Sequence, residues 1–325
     1  MLIRIVKSAL HRPIFMGQTP AGEGIWDGVQ FTLEPVEDCD YLILLNRPPE
    51  KINVHCPPQH IWSIIHEPPV AFRQAWHLNP PYASRTFTTD VKRSGKEYIH
   101  SQPAIFWRVN RDYDFLISCT PPDKTRQLSW ITSRLTNLKG HRARMAFLSQ
   151  IQGKLVFDLW GRGFTRIEDK WDGLAPYRYS LAIENYSNPF YWSEKLADCY
   201  LAWCMPIYYG CTRVTDYFPA ESMIQIDIHE PEVALEKIKE AIASNAWQRN
   251  LDAIAYAREL ILNRYQFFPF MVRQIRHFES TYGAFSQKEQ IMIVPRHLNA
   301  PLWLRVKRKS KHLLARLLRL LGVKS

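Results

Sequence analysis

Two carboxylates and a lysine fall close together in the middle of the chain. Glu184 and Asn185 end an apolar run that begins at Tyr179, Tyr191-Trp192-Ser193-Glu194-Lys195 follows a short loop, and Pro206-Ile207-Tyr208-Tyr209-Gly210 closes the stretch. The pattern reads as a buried strand, a loop, a helix capped by Ser193 and a second strand stopped by glycine. In an open α/β sheet, ligands bind at the carboxyl ends of the strands, and a helix that opens there turns its free N–H groups toward phosphate. Lys195 in the first turn opposes the helix dipole, which costs roughly a few tenths of a kcal/mol when nothing negative is near. A diphosphate removes that conflict.

Metal chemistry finds less support. His55, His60, His66 and His77 look like a cluster, but their spacing fits no standard metal site, and the six cysteines show neither a CxxC pair nor a zinc-like Cys/His spacing. The cysteines read as buried free thiols of a reducing compartment.

The elements that must hold these groups follow from apolar runs and their punctuation. Strands are expected at 2–6, 28–33, 41–45, 61–65 and 86–89, with a helical stretch at 70–77 and Pro-rich turns at the strand ends. A second series begins near Gln127: strand 128–132, helix 140–150, strand 155–159, strand 179–183, helix 194–203, strand 205–209, strand 223–226 and helix 231–243. Helices then run over 246–264 and 268–278. Strand and helix alternating in this way predict two Rossmann-like, doubly wound α/β domains with parallel sheets. The division expected is 1–120, 121–270, a C-terminal helix and linker at 271–300, and a tail at 301–325.

The order Glu184-Asn185, Tyr191-x-Ser193-Glu194-Lys195 and Pro206-x-Tyr208-x-Gly210 resembles the donor-binding motif of the family 10 α-1,3/1,4-fucosyltransferases. A weaker likeness extends to Ser129–Ser133 with Arg144-x-x-Phe147, and to Trp62–Pro68 in the first half. This chain departs from the pattern at Ile183, where the family has Phe, at Tyr186, which intrudes before Ser187, and at Ser193, which stands for Thr. The resemblance implies a GT-B fold, in which two α/β domains face a cleft, and an inverting, metal-independent glycosyltransferase with GDP-fucose as donor and a glycan hydroxyl as acceptor. It implies Glu67 as general base, a role open to a carboxylate in a dry cleft. It also implies Arg144 and Lys195 on the leaving diphosphate, Glu194 on the ribose, and Glu184 with Asn185 near the donor sugar, while Tyr191 and Ser193 complete the donor-binding set.

Rival chemistries leave fainter marks. A GT-A enzyme needs an Asp-x-Asp motif after a strand, whereas Asp38-Cys39-Asp40 precedes one and Asp112-Tyr113-Asp114 is a triplet common by chance. Retaining GT-B enzymes often separate two glutamates by seven residues; here nine lie between Glu184 and Glu194. A family-related transferase using another nucleotide sugar, and a non-catalytic membrane- or glycan-binding protein, are the alternatives.

The net charge of +11 is concentrated at one end. Residues 301–325 hold eight basic residues and no acidic one, which leaves +3 for the rest, so nucleic-acid binding across a folded face is not expected. Trp303, Val306, Leu313, Leu314, Leu317, Leu320 and Leu321 alternate with Arg305, Arg308, His312, Arg316 and Arg319 at helical spacing, the pattern of a basic amphipathic helix. The expectation is peripheral contact with the inner face of a membrane from the cytoplasm. Met1–Leu10 is too short and too charged for a signal or anchor and reads as a first strand.

Overall fold

A computed structural model describes residues 1–7 and 15–295; the amphipathic tail therefore lies outside the described residues. In the first half, strands β1 (Leu2–Val6), β2 (Ile25–Trp26), β3 (Val29–Thr32), β4 (Tyr41–Leu45), β5 (Ile52–Cys56), β6 (Ile61–Ile64), β7 (Arg85–Thr88) and β8 (Tyr98–His100) follow one another. All but β5 form one sheet ordered β2-β3-β1-β4-β6-β7-β8, parallel except at the β2–β3 hairpin. Its centre is parallel because it is covered on both faces: every residue of β4 and β6 is buried. A fully buried Leu or Ile there contributes about 1.5–3 kcal/mol.

The second half begins with helix α1 (Tyr113–Ser118) and continues through β9 (Arg126–Ile131), α2 (Lys139–Ile151), β10 (Asp158–Trp160), β11 (Tyr177–Ile183), α3 (Glu194–Leu201), β12 (Met205–Tyr209), β13 (Ile224–Gln225) and α4 (Pro231–Ala243). Its sheet is parallel throughout, in the order β10-β9-β11-β12-β13. The chain winds outward from β9 to β10 and then returns across β9 to β11, so the order reverses between β9 and β11. In the first sheet the reversal lies between β1 and β4. An open parallel sheet binds ligands at such points, outside the carboxyl ends of the strands.

Helices α5 (Ala246–Arg249), α6 (Leu251–Leu260) and α7 (Phe267–Tyr282) and strand β14 (Glu289–Ile293) complete the described chain. Here the structure departs from the single helix expected over 246–264. Asn250 leaves helical geometry between α5 and α6, and a π-turn at Ile261–Tyr265 ends the run. From α7 onward the chain packs on the first half: Phe267, Phe268, Met271, Ile275 and Phe278 share a core with Phe15, Phe31, Trp62 and Phe87. β14 pairs antiparallel with β5, an element that was not anticipated although its residues alternate buried and exposed. The strand expected at 155–159 falls instead at β10. Leu155 still donates its N–H to the Ile151 carbonyl at the end of α2, and Val156 stands 93% exposed in the turn that follows. The remaining expected strands and helices lie within a few residues of the observed ones, the stretch at 70–77 as 3-10 turns over Ala71–His77.

Candidate active site

β11 delivers Glu184 and Asn185 to the reversal point of the second sheet. Glu184 is fully buried, and its carboxylate accepts from the Ser193 N–H at 2.8 Å, from Ser193 Oγ at 2.7 and 2.9 Å, and from Lys195 Nζ at 3.0 Å. Ser193 is the N-cap of α3, its Oγ accepting from the Lys195 N–H. Glu184 thereby fixes the start of the helix and the lysine in its first turn. Gly210 makes room for this: a Cβ there would lie 2.5 Å from Glu184 Cγ. Burial alone would lower the Lys195 pKa, but Glu184 and Glu194 outweigh it and hold the ammonium well above its ordinary range. Burial likewise pushes Glu194 up, and the opposing charges of Lys195, Lys170 and Arg108 more than reverse it, so the carboxyl stays ionised.

α2 follows β9 and starts at the same point. Its N-cap, Leu138, offers no side-chain acceptor, so the N–H groups of the first turn are uncapped. The helix comes so close to β11 that a Cβ on Gly140 would lie 1.8 Å from the Asn185 carbonyl oxygen. His141 Nδ1 lies 2.6 Å from Asn137 Oδ1, and its Nε2 lies 3.4 Å from Asn185 Nδ2. Burial, then Arg144, Lys195 and Arg73, drive its pKa down to about 4. Arg144, one turn later, is 4% exposed, and its Nε has no hydrogen-bond partner among the described residues; the Asn185 Oδ1 atom is also orphaned. A buried guanidinium without an acceptor is costly.

The first half supplies the opposite wall. Lys7 follows β1, Asn46 follows β4, and His66 and Glu67 follow β6, all at carboxyl ends of strands. With Phe106 and Arg108 of the crossing segment and Asn185, Tyr191, Ser193, Glu194 and Lys195 of the second half, they enclose a cavity of about 400 Å³. Glu67 is half-buried, with Oε2 bound by Arg73. Of the residues singled out in the sequence, Glu67, Asn185, Tyr191, Ser193, Glu194 and Lys195 line this cavity. Glu184 lies behind its wall, and Arg144 is buried along α2 outside the lining. Lys7, Asn46, Arg73, Arg108 and His141 were not singled out. Lys7 and Asn46 could have been found from their places directly after expected strands; Arg73 and His141 carry no local signal. Among the described residues no cluster of three His, Cys, Asp or Glu side chains is placed to hold a metal ion.

Residues 121–248 match the family model described as glycosyltransferase family 10 (fucosyltransferase) C-term, so the likeness to that family is shown over this segment. The 4-galactosyl-N-acetylglucosaminide 3-alpha-L-fucosyltransferase 9 of Rattus norvegicus is 25% identical over 173 residues, which are 49% of this chain and 47% of the relative. The 4-galactosyl-N-acetylglucosaminide 3-alpha-L-fucosyltransferase FUT6 of Pongo pygmaeus is 28% identical over 109 residues, 32% of this chain and 30% of that one. The chain thus spans about half the length, or less, of these curated relatives. Among solved structures, an alpha1,3-fucosyltransferase overlays with a TM-score of 0.53 at 16% identity, covering 88% of this chain and 90% of that one. An alpha-glucosyltransferase in complex with UDP and DNA also gives 0.53, at 11% identity, covering 86% and 99%. The fold is that of the GT-B glycosyltransferases, two α/β halves facing a cleft.

Proposed function

We propose that this cleft transfers fucose from GDP-fucose to a hydroxyl of a glycan acceptor, with inversion and without a metal ion. The observation that carries the reading is buried Arg144, whose Nε has no partner among the described residues, on a helix whose uncapped N-terminus meets Asn185 and lies near Lys195. Such a place stabilises an anion with backbone N–H groups and two cations. The match to the family and the names of the relatives support fucose as the sugar.

In this reading Glu67, through the oxygen not held by Arg73, takes the proton of the acceptor hydroxyl. The acceptor oxygen attacks the anomeric carbon from the side opposite the diphosphate, the bond from that carbon to the phosphate oxygen breaks, and GDP leaves with the electron pair. Arg144, Lys195 and the α2 N–H groups stabilise the charge that grows on it, the task a divalent cation performs in other glycosyltransferases. Glu194 accepts from the ribose hydroxyls, and Asn185 and Tyr191 face the donor sugar. Glu184 acts from behind by fixing Ser193 and Lys195.

A panel of nucleotides read by thermal shift tests the donor. GDP and GDP-fucose at a hundredfold excess over their Kd stabilise the chain by about 2.7 kcal/mol with EDTA present, and UDP-sugars do not. Stabilisation by UDP-sugars alone would overturn the choice of donor. The tail at 301–325 is proposed to hold the enzyme on the cytoplasmic face of a membrane; deleting it should abolish sedimentation with anionic vesicles, and a full-length chain that ignores such vesicles at low salt removes this assignment.

A further inference from the structure

We propose that Lys7 and Arg108 form a subsite for a carboxylate or phosphate group of the acceptor, so that the acceptor is an anionic glycan; the inference rests on reading the cleft as a glycosyl-transfer site. Each sheet offers one reversal point, and the two belong to opposite walls of the cleft. The point in the second sheet is occupied by the groups assigned to the donor diphosphate. The point in the first sheet, between β1 and β4, carries Lys7 and Asn46, with Glu67 one strand further on. A ligand binds there for the same topological reason, and the proposed base stands beside it.

The pattern of ion pairs points to an anion. Around the cavity each carboxylate is already engaged: Glu67 by Arg73, Glu184 and Glu194 by Lys195, and Asp198 by Lys170. Lys7 Nζ lies 4.8 Å from the centre of the Phe106 ring and has neither a hydrogen bond nor an ion pair among the described residues. The Arg108 side chain has none either, although its backbone N–H donates to Asp198 Oδ1. Residues 8–14 and 296–325 contain no Asp or Glu that could serve them. Burial, reinforced by Arg108, lowers the Lys7 pKa to about 8. Lys7 is partly buried and Arg108 exposed where they line the cavity; Glu67 and Glu194 act on them only through space, and those carboxylates are themselves held by Arg73 and Lys195, so both cations are left free to pair with an anion in the cavity. The diphosphate of a nucleoside diphosphate sugar is met on the other wall, by Arg144, the N-terminus of α2 and Lys195, whose ammonium it shares with Glu184 and Glu194.

The test uses the full chain saturated with GDP and titrated with D-glucuronate and with D-glucose, followed by saturation-transfer NMR of the sugars. Glucuronate should bind about tenfold more tightly than glucose, the increment of one charge-assisted hydrogen bond. Lys7→Gln should erase the difference and Lys7→Arg restore most of it, with the Tm of both variants near that of the parent. Equal binding of the two sugars, or binding of neither, overturns the proposal. Displacement of GDP by glucuronate overturns it too, by assigning Lys7 and Arg108 to the donor phosphate. Failure of the chain to bind GDP at all would instead count against the transferase reading, so the two failures are distinguishable.

Discussion

Glu67 and Glu184 each follow a strand of a parallel sheet, and their surroundings give them opposite work. Glu184 is enclosed, and its oxygens are occupied by Ser193 and Lys195. Glu67 faces the cavity with only one oxygen held, by Arg73. Glu67→Gln keeps the shape but cannot accept a proton, so transfer should fall by about 10²–10⁴ while stabilisation by GDP persists. Near-native turnover in that variant would remove the base. Arg144→Met makes a prediction of a different kind. Removing a buried cation that has no acceptor should leave the Tm of the free protein unchanged or raise it, while the stabilisation by GDP falls by at least about 1.5 kcal/mol. A drop in Tm without ligand, with GDP stabilisation intact, would show that Arg144 is structural. The Glu-Asn and Ser-Glu-Lys groups were legible in the sequence because a helix start and a strand end are local signals. Arg73 was not, because its partner stands on a neighbouring segment and nothing in its own surroundings marks it.

At the level of elements, the site depends on how closely α2 lies against the end of β11. The sequence showed the helix, yet it gave no reason for Gly140, because the reason is the Asn185 carbonyl 45 positions further on. Gly140→Ala brings a methyl against backbone that cannot swing away, and should cost about 1–3 kcal/mol in urea unfolding together with most of the affinity for GDP. A loss under about 0.5 kcal/mol with unchanged GDP binding would mean that α2 can shift freely. The misplaced strand near 155 has a similar origin. Its apolar residues suit a strand, but after α2 the chain turns at Gly153 and the Leu155 N–H is tied back to the Ile151 carbonyl, so β10 begins only at Asp158.

For the molecule as a whole, the two-sheet plan was readable from the alternation of strand and helix, whereas the return of α7 and β14 to the first half was not, since it rests on contacts made across more than two hundred residues. Buried histidines lie in the first half as well as in the second. Burial lowers His77 to about 4 and His66 well below its ordinary value, and His141 lies at about 4. In unfolded chains these groups titrate near 6.5. Between about pH 6.5 and 4 the unfolded state therefore binds more protons, so stability is full above this window and is lost as pH falls through it. Urea midpoints at pH 7.5, 6 and 5 should decline in that order, and flat midpoints would contradict the burial of these rings. The central claim is inverting transfer from a donor held by cations, and the anomeric configuration of the product tests it most directly. With GDP-β-L-fucose, N-acetyllactosamine and its 3′-sulfated form as acceptors, and EDTA present, proton NMR should show an α-L-fucoside from the wild-type chain, formed at least about 10²-fold more slowly by Glu67→Gln; a β-L-fucoside, or transfer that appears only when a divalent metal is restored, would contradict the account.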